Sequence, residues 1–564
     1  MSDFDAIVVG SGMSGGWVAK ELCERGLKTL VLERGPDVDP LTDYSDNLAP
    51  WEKSHLDRVR PQEAMAHYTR QKDVYVFYES TKQFWVRDSD HPYSVADGTD
   101  YEWYRGHHVG GRSLTWARMS FRFGDLDFNA NKEDGIGVDW PIRYADLEPW
   151  YDKVEDFVGV SGEVPNLPTL PSGRYLPPFE MSCAEEVLKT SLTDRFDDRT
   201  LIVAPVANLK QAQPHHNALG RGDCQVRNLC YRGCSFGAYF SSNSATLPAA
   251  RQTGNLSLQP DSIVHSLIYD DATQRVSGVR VIDRVTREAK TYTADIVFLN
   301  ASAIATAQIL LNSTSERYPN GLANDSDQVG RNLMDHVAGA QVSARVLGID
   351  DKTVFGRRPA PGYIPRYVNY PNNDQPYKRG FAFQVYSQRG GWTGNRPGVG
   401  EALKTANQSP GDWWITLDAY AEVLPDPNNR VTLNSNQTDK WGIPIPHLDC
   451  RMGANEEALL QAASDDAFDI LSHPSFSNVT RSPVEPTKPG NRIHEMGTAR
   501  MGRNPTSSVL NAWNQAHTID NLFITDGACM TSSAIVNPSI TYMALSARAA
   551  NYAADLKQAG ALRI

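Results

Sequence analysis

Positive charge is in short supply in this 564-residue chain, where 55 Lys and Arg stand against 67 Asp and Glu for a formal net charge of -12. A polyanion is normally met by a basic stripe; none is visible, and nucleic acid is excluded as a partner. Also missing is an uninterrupted apolar run of the roughly 18 residues that a membrane helix requires. The nearest approach, DIVFLNASAIATAQILL, is broken by Asn300, Ser302, Thr306 and Gln308, so no membrane span is expected. The opening MSDFDAIVVGSG runs directly into a strand, so no secretion signal is expected in it. Cysteine is scarce too. Of seven, Cys23, Cys183, Cys450 and Cys529 stand singly in apolar or helix-like contexts, as small buried thiols do, and a disulfide framework is not expected. The exception is CQVRNLCYRGCSFGA, which gathers Cys224, Cys230 and Cys234 in one loop-like stretch.

What is present suffices for a large core. With 40% hydrophobic and 22% charged residues the composition is that of an acidic globular protein, and the length calls for two domains or one large domain with an insertion. In DAIVVGSGMSGGWVAKELCERGLKTLVLERG an apolar strand meets Gly10-x-Gly12-x-x-Gly15, followed by a helix and a second strand that ends at Glu33. Gly10 suits a tight turn, Gly12 a close backbone approach to a pyrophosphate, and Gly15 close packing of helix on sheet. The helix start, with Ser14, offers free N–H groups to phosphate, and Glu33, followed by Arg34, stands where a ribose-binding carboxylate is needed. The fingerprint predicts a dinucleotide without deciding between FAD and NAD.

Three further stretches, VGGRSLTWARMSFRF (109–123), RIHEMGTARMG (492–502) and LFITDGACMTSSAIVNPSITYMALSARAANYA (522–553), complete a pattern. With the fingerprint, they resemble the glucose-methanol-choline (GMC) oxidoreductases, along the whole chain. The resemblance implies a Rossmann-like FAD-binding domain, α/β in class, interleaved with an α+β substrate domain on a mostly antiparallel sheet. It implies a discontinuous FAD-binding domain over 1–50, 96–138, 222–335 and 495–564, with the substrate domain and insertions over 51–95, 139–221 and 336–494. It further implies that Gly111, Ser113, Thr115, Trp116 and Ala117 run along the flavin ring, and that Asp526 and Gly527 meet its ribityl and diphosphate region. Asn537, Pro538 and Thr541 then lie where the chain passes the flavin. Some relatives attach the flavin covalently through a histidine where this chain has Thr115, so dissociable FAD is expected. Val264 falls where the family chain lies against adenine, although a buried strand valine reads equally well.

Oxidising a hydroxyl requires a hydride to leave carbon while a proton leaves oxygen, and a neutral imidazole suits the second task. His494 matches the family's catalytic base and Asn537 its partner. His107, His108 and His336 carry no role that the sequence derives. The spacing Cys224-x5-Cys230-x3-Cys234 does not match the C-x2-C pairs of structural zinc, and His215 and His216 upstream complete no ordinary ligand pattern. Clustered thiolates suit a polynuclear iron–sulfur centre, with reduced thiols, zinc or a disulfide as alternatives. The stretch resembles the cluster loop of bacterial FAD-dependent glucose dehydrogenase subunits in the same family, which implies a [3Fe-4S] centre passing electrons to a partner.

The stretches RGFAFQVYSQ and RVTLNSN alternate as antiparallel strands do, and Gln384 is the candidate for a substrate hydroxyl contact, against a surface-strand alternative. The whole chain is most similar to bacterial sugar-oxidising subunits, glucoside 3-dehydrogenases among them. This implies a sugar or glycoside substrate oxidised at C3, with C1 or C2 oxidation, a dioxygen-using oxidase and a flavin-dependent hydroxynitrile lyase as alternatives. Such subunits pair with a small subunit carrying an export signal and a cytochrome c acceptor. That implies a periplasmic location, against a cytoplasmic alternative.

Overall fold

The computed structural model describes residues 2–354, 356–390, 398–408 and 410–562. Its first strand, Phe4–Val9, lies parallel to Thr29–Leu32 on one side and to Ala289–Leu299 on the other. Ala6, Ile7, Val8 and Val9 are all buried, which is why the segment reads as a continuous apolar run rather than an alternating one. Leu256–Gln259 extends the sheet beyond Thr29–Leu32, and Ile519–Ile524 with Gln515–Ala516 extends it beyond Ala289–Leu299. The antiparallel strands Ser262–Asp270 and Arg275–Asp283 complete eight. Helix Met13–Glu24 packs on helix Ser539–Gln558. Small residues allow this, since Ala19 of the first and Ala549, Ala550 and Ala553 of the second share one core with Val8, Phe298 and Phe523 of the sheet.

The second sheet has seven strands. Phe476–Arg481, Gln341–Val346, Trp413–Glu422, Phe381–Arg389, Gly362–Ile364 and Ile202–Val203 follow in that order, with His336–Val337 against the end of Trp413–Glu422. All its pairings are antiparallel, and its faces differ. Val342, Phe383, Val385, Ile415, Leu417 and Ala419 bury against helices Cys183–Arg195 and Ala454–Leu471. The opposite face, one residue out of phase, presents Gln341, Gln384, Tyr386, Asp418 and Tyr420 to a large cavity.

The alternating RVTLNSN stretch is a strand, Arg430–Thr438, but belongs to a separate three-stranded sheet with Pro444–Asp449 and Ser94–Val95. The apolar stretch around residue 300 divides into the end of strand Ala289–Leu299 and helix Ala303–Leu311, joined through Ser302 at φ 78°. Among the described residues no helix is long and apolar enough to cross a membrane.

Candidate active site

Glycines shape the first turn for steric reasons. Gly10 has φ +98°, and a Cβ there would lie 2.3 Å from the Asn300 carbonyl oxygen. A Cβ on Gly15 would lie 2.0 Å from the Gly10 oxygen, so the helix starts tight against the strand. Gly10, Gly12 and Ser14 line a cavity of about 1620 Å³, together with Glu33 and Arg34. One Glu33 oxygen accepts from Ser11 N (3.1 Å) and Ser11 Oγ (2.6 Å), the other from Gly35 N (3.1 Å). The carboxylate thus braces the glycine turn, a task the sequence did not suggest, and burial pushes its pKa up. Arg34 pairs with Asp439 at 3.1 Å and lies over the Trp441 ring.

Gly111, Ser113, Thr115, Trp116 and Ala117 line the same cavity, as do Val264, Asp526 and Gly527. Ser113 Oγ donates to Gly110 O at 2.6 Å, and Trp116 Nε1 to Phe240 O at 2.9 Å. The Asp526 carboxylate accepts from Ser302 N (2.8 Å), Thr306 Oγ1 (2.6 Å) and Ala528 N (2.9 Å). It therefore ties helix Ala303–Leu311 to the end of strand Ile519–Ile524, and burial pushes its pKa up to about 6.

Three expected cofactor positions lie off the cavity wall: Gly15, which makes the packing above, Pro538, which caps helix Ser539–Gln558, and Thr541. For Thr541 the expectation is corrected. Ser539 and Tyr542 face the cavity, whereas Thr541, about 200° around the helix from Ser539, turns into the core and bonds Tyr151 Oη at 2.8 Å.

The wall carries buried polar atoms without partners among the described residues: Arg34 Nε, Arg105 Nε, His107 Nδ1, Asn300 Nδ2 and Tyr542 Oη. Buried donors call for acceptors. Mostly N–H donors around a glycine turn at a helix start fit the pyrophosphate and ribose oxygens of FAD.

His494 and Asn537 meet on this wall, with Asn537 Nδ2 3.2 Å from His494 Nε2. His494 Nδ1 lies 3.0 Å from His336 Nδ1. Because an amide nitrogen donates, Nε2 holds the lone pair; Nδ1 then carries the proton and donates it to His336. Asp335 orders the segment by accepting from the backbone N–H groups of His336 (2.7 Å), His494 (3.0 Å) and Arg492 (3.0 Å). Ligand atoms of Asp335, His336 and His494 lie within 4.8 Å of one another, but these hydrogen bonds already engage all three. Burial above all holds the His494 pKa well below its usual value, with His336, Arg112 and Arg492 adding to the effect. Burial likewise holds His336 neutral, with a pKa lowered to about 4. Arg112 in turn pairs with the buried Glu495 at 2.6 Å.

Gln384 lies on the cavity wall and is buried, not a surface-strand residue, and its Oε1 accepts from Tyr386 Oη at 2.6 Å. Arg492 and Asp418 complete this end of the cavity, with His336 hydrogen-bonded behind His494; Arg492 opens the RIHEMGTARMG stretch without a role assigned to it there, and the sequence carried no signal for Asp418.

Cys224, Cys230 and Cys234 border one small cavity, and Cys224, Val226, Asn228 and Leu229 line both it and the large one. Among the described residues the three sulfurs do not converge within 4.8 Å, the proximity a single metal ion needs. His215 and His216 are turned away from them, each with Nε2 near the Asp156 carbonyl, at 3.1 and 3.0 Å. Burial raises the pKa of Cys224 and Cys234, and each thiol lies within electrostatic reach of the others. Of the solitary cysteines, Cys23, Cys450 and Cys529 are buried as expected, whereas Cys183 is half-buried in the cavity wall.

Comparison with known proteins agrees with this geometry. Two family models, each described as GMC oxidoreductase, match residues 4–338 and 425–546. The fructose dehydrogenase large subunit of Gluconobacter japonicus is 28% identical, covering 98% of this chain and 98% of that protein. A 2-methyl-1,2-propanediol dehydrogenase of Mycolicibacterium austroafricanum is also 28% identical, over 97% of this chain and 94% of its own length. In fold, the chain is similar to pyridoxine 4-oxidase from Mesorbium loti, with TM-score 0.62 and 16% identity over 97% of this chain and 98% of that one. The chain belongs to the GMC oxidoreductases, FAD-dependent enzymes that oxidise the CH–OH groups of sugars or alcohols.

Proposed function

We propose that this enzyme is a sugar dehydrogenase acting on a secondary ring hydroxyl of a sugar or glycoside, with C3 favoured as in glucoside 3-dehydrogenases. Bound FAD supplies the acceptor for the hydride. The observation that carries the reading is the pair His494–Asn537 on the wall that also holds the glycine turn, with His336 hydrogen-bonded to His494 from behind. The substrate hydroxyl comes between the pair and replaces their direct hydrogen bond: His494 Nε2 takes its proton, and Asn537 Nδ2 donates to its oxygen. Arg112 and Arg492 add positive potential where alkoxide character develops. Gln384, Tyr386 and Tyr420 give the amide and aromatic surfaces that suit a sugar's hydroxyls and C–H faces.

Electrons then leave through a [3Fe-4S] centre on Cys224, Cys230 and Cys234. Support comes from two buried arginines with no carboxylate partner among the described residues. Arg118 lies near Cys230 and Arg221 near Cys234. Buried charges are normally paired, and an anionic thiolate centre is the counter-charge these two lack. A polynuclear centre binds each thiolate to a different iron and so needs no convergence on one point. The acceptor is a cytochrome c, reached with a small subunit that also carries the export signal to the periplasm; the large-subunit designation of the fructose dehydrogenase relative supports such an assembly. The docking face is the segment laid over the cysteine loop. Asp46 ties it down through Arg227 and Ser235, while Leu41, Trp51 and Leu56 are exposed.

The test is anaerobic mixing of FAD-loaded protein with methyl α-D-glucopyranoside, D-glucose, D-fructose and D-gluconate. Flavin bleaching by a sugar, a keto product located by NMR, and electron delivery to cytochrome c rather than dioxygen are expected. His494→Ala should keep FAD and lose the bleaching. A flavin that no sugar reduces overturns the reading and reopens lyase chemistry.

A further inference from the structure

The ceiling of the cavity carries polar atoms for which the proton relay has no use. Strand register places Asp418 of Trp413–Glu422 directly between Gln341 and Gln384 on the neighbouring strands, all on the cavity face. Asp418 is 4% exposed, yet its Oδ1 has no hydrogen-bond partner among the described residues. Arg492 stands opposite, with Nη1 3.8 Å from Asp418 Oδ2 and 3.2 Å from Tyr420 Oη. Its Nε is likewise buried and unpartnered. One unpartnered acceptor and one unpartnered donor thus belong to two side chains that line the same cavity, and Arg492 lies two residues from His494. A buried polar atom left unmatched is costly, so the site favours a ligand that fills both.

The chemistry of the pair is specific. A hydroxyl both donates and accepts, so two hydroxyls on adjacent carbons can satisfy Asp418 Oδ1 and Arg492 Nε together. An ammonium group would suit Asp418 but meet the positive charge of Arg492. A simple alcohol, once its only hydroxyl is held at His494, would leave both atoms empty.

We propose that Asp418 and Arg492 form a subsite for a neutral vicinal diol, which selects polyhydroxylated substrates by hydroxyls other than the one oxidised. The proposal rests on the reading that this cavity takes a CH–OH donor, and it adds which residues choose the donor.

The test separates the two. FAD-loaded protein with His494→Ala, in which oxidation is expected to stop, is titrated calorimetrically with methyl α-D-glucopyranoside, its 2-, 3- and 4-deoxy analogues and its 2-amino-2-deoxy analogue. Asp418→Leu and Arg492→Met, which remove the acceptor and the donor, are made in the same background, and FAD content reports whether each has folded. Removal of one particular hydroxyl is expected to weaken binding about ten- to hundredfold while Asp418 is present, and far less in Asp418→Leu. Affinity losses that simply multiply, unchanged affinity in both variants, tighter binding of the amino sugar, or no binding of any of these sugars would each overturn the subsite. Sugar that binds with this coupling but fails to bleach the flavin of the unmodified enzyme would sink the oxidation reading alone. Bleaching without the coupling would sink the subsite alone.

Discussion

His494 and His336 share a hydrogen bond through their Nδ1 atoms, 3.0 Å apart, so the second ring decides which nitrogen of the first is free. Removing that acceptor should let His494 turn its protonated nitrogen toward the cavity. His336→Phe is expected to lower kcat about ten- to hundredfold with FAD retained and KM little changed. His336→Gln, whose carbonyl can accept the same proton, should recover most of the loss. A KM effect without a kcat effect would assign His336 to substrate binding instead.

The base must be neutral to work, so the rate falls as pH drops through the His494 pKa. That pKa is held below the usual value of about 6.5, so kcat/KM should stay flat through neutrality and fall only on the acid side. Arg492→Gln removes a positive neighbour, lets the pKa rise and should move the acid limb to higher pH. A limb that stays in place would show that burial alone sets the value.

Gly15→Ala brings a Cβ to 2.0 Å from the Gly10 carbonyl oxygen, a backbone atom that cannot swing aside. The glycine turn must then open, and FAD content on purification should drop sharply. Alanine at Gly26, whose Cβ would meet nothing within 4 Å but whose φ is +82°, is the control for backbone strain alone and should leave FAD content intact.

Carboxylates drawn out of water, Asp335 and Asp526 buried and Asp127 half-buried, give the fold a predictable pH response. Burial pushes Asp127 and Asp335 up to about 7 and Asp526 to about 6. Each folded value exceeds the unfolded one near 3.9, so between these limits the folded chain binds more protons and its stability falls as pH rises. Asp127→Asn should flatten that fall. Its carbonyl can still accept from Gly124 N, as the carboxylate does at 2.8 Å. Melting temperatures from pH 4 to pH 8, with and without the substitution, measure the effect.

Anaerobically purified protein is expected to hold roughly three irons and about four acid-labile sulfides per chain. Serine at Cys224, Cys230 or Cys234 should abolish the low-temperature EPR signal while flavin reduction by sugar persists. Arg118→Gln, which removes a buried counter-charge, should lower the reduction potential of the centre. Iron-free protein that resists reconstitution would leave three ordinary thiols.

Motifs whose physics is local were legible from the residues alone. The glycine turn is one, because its strand, turn and helix are consecutive and each glycine answers to a neighbour a few residues away. The cysteine loop was visible for the same reason, and His494 and Asn537 because each sits in a short recognisable stretch. Composition and alternation also foretold the antiparallel strand that carries Gln384. What the sequence did not display depends on long-range closure. His336 reaches His494 across 158 residues, and Asp418 meets Gln384 only through strand register. Helix phase, not motif, turned Thr541 into the core, and burial in the folded chain is the largest cause of the shifted pKa of His494, Asp127 and Asp526. A side chain's neighbours in sequence determine its backbone shape, whereas its charge state and its partners depend on whatever the folded chain brings to it and on the water it excludes.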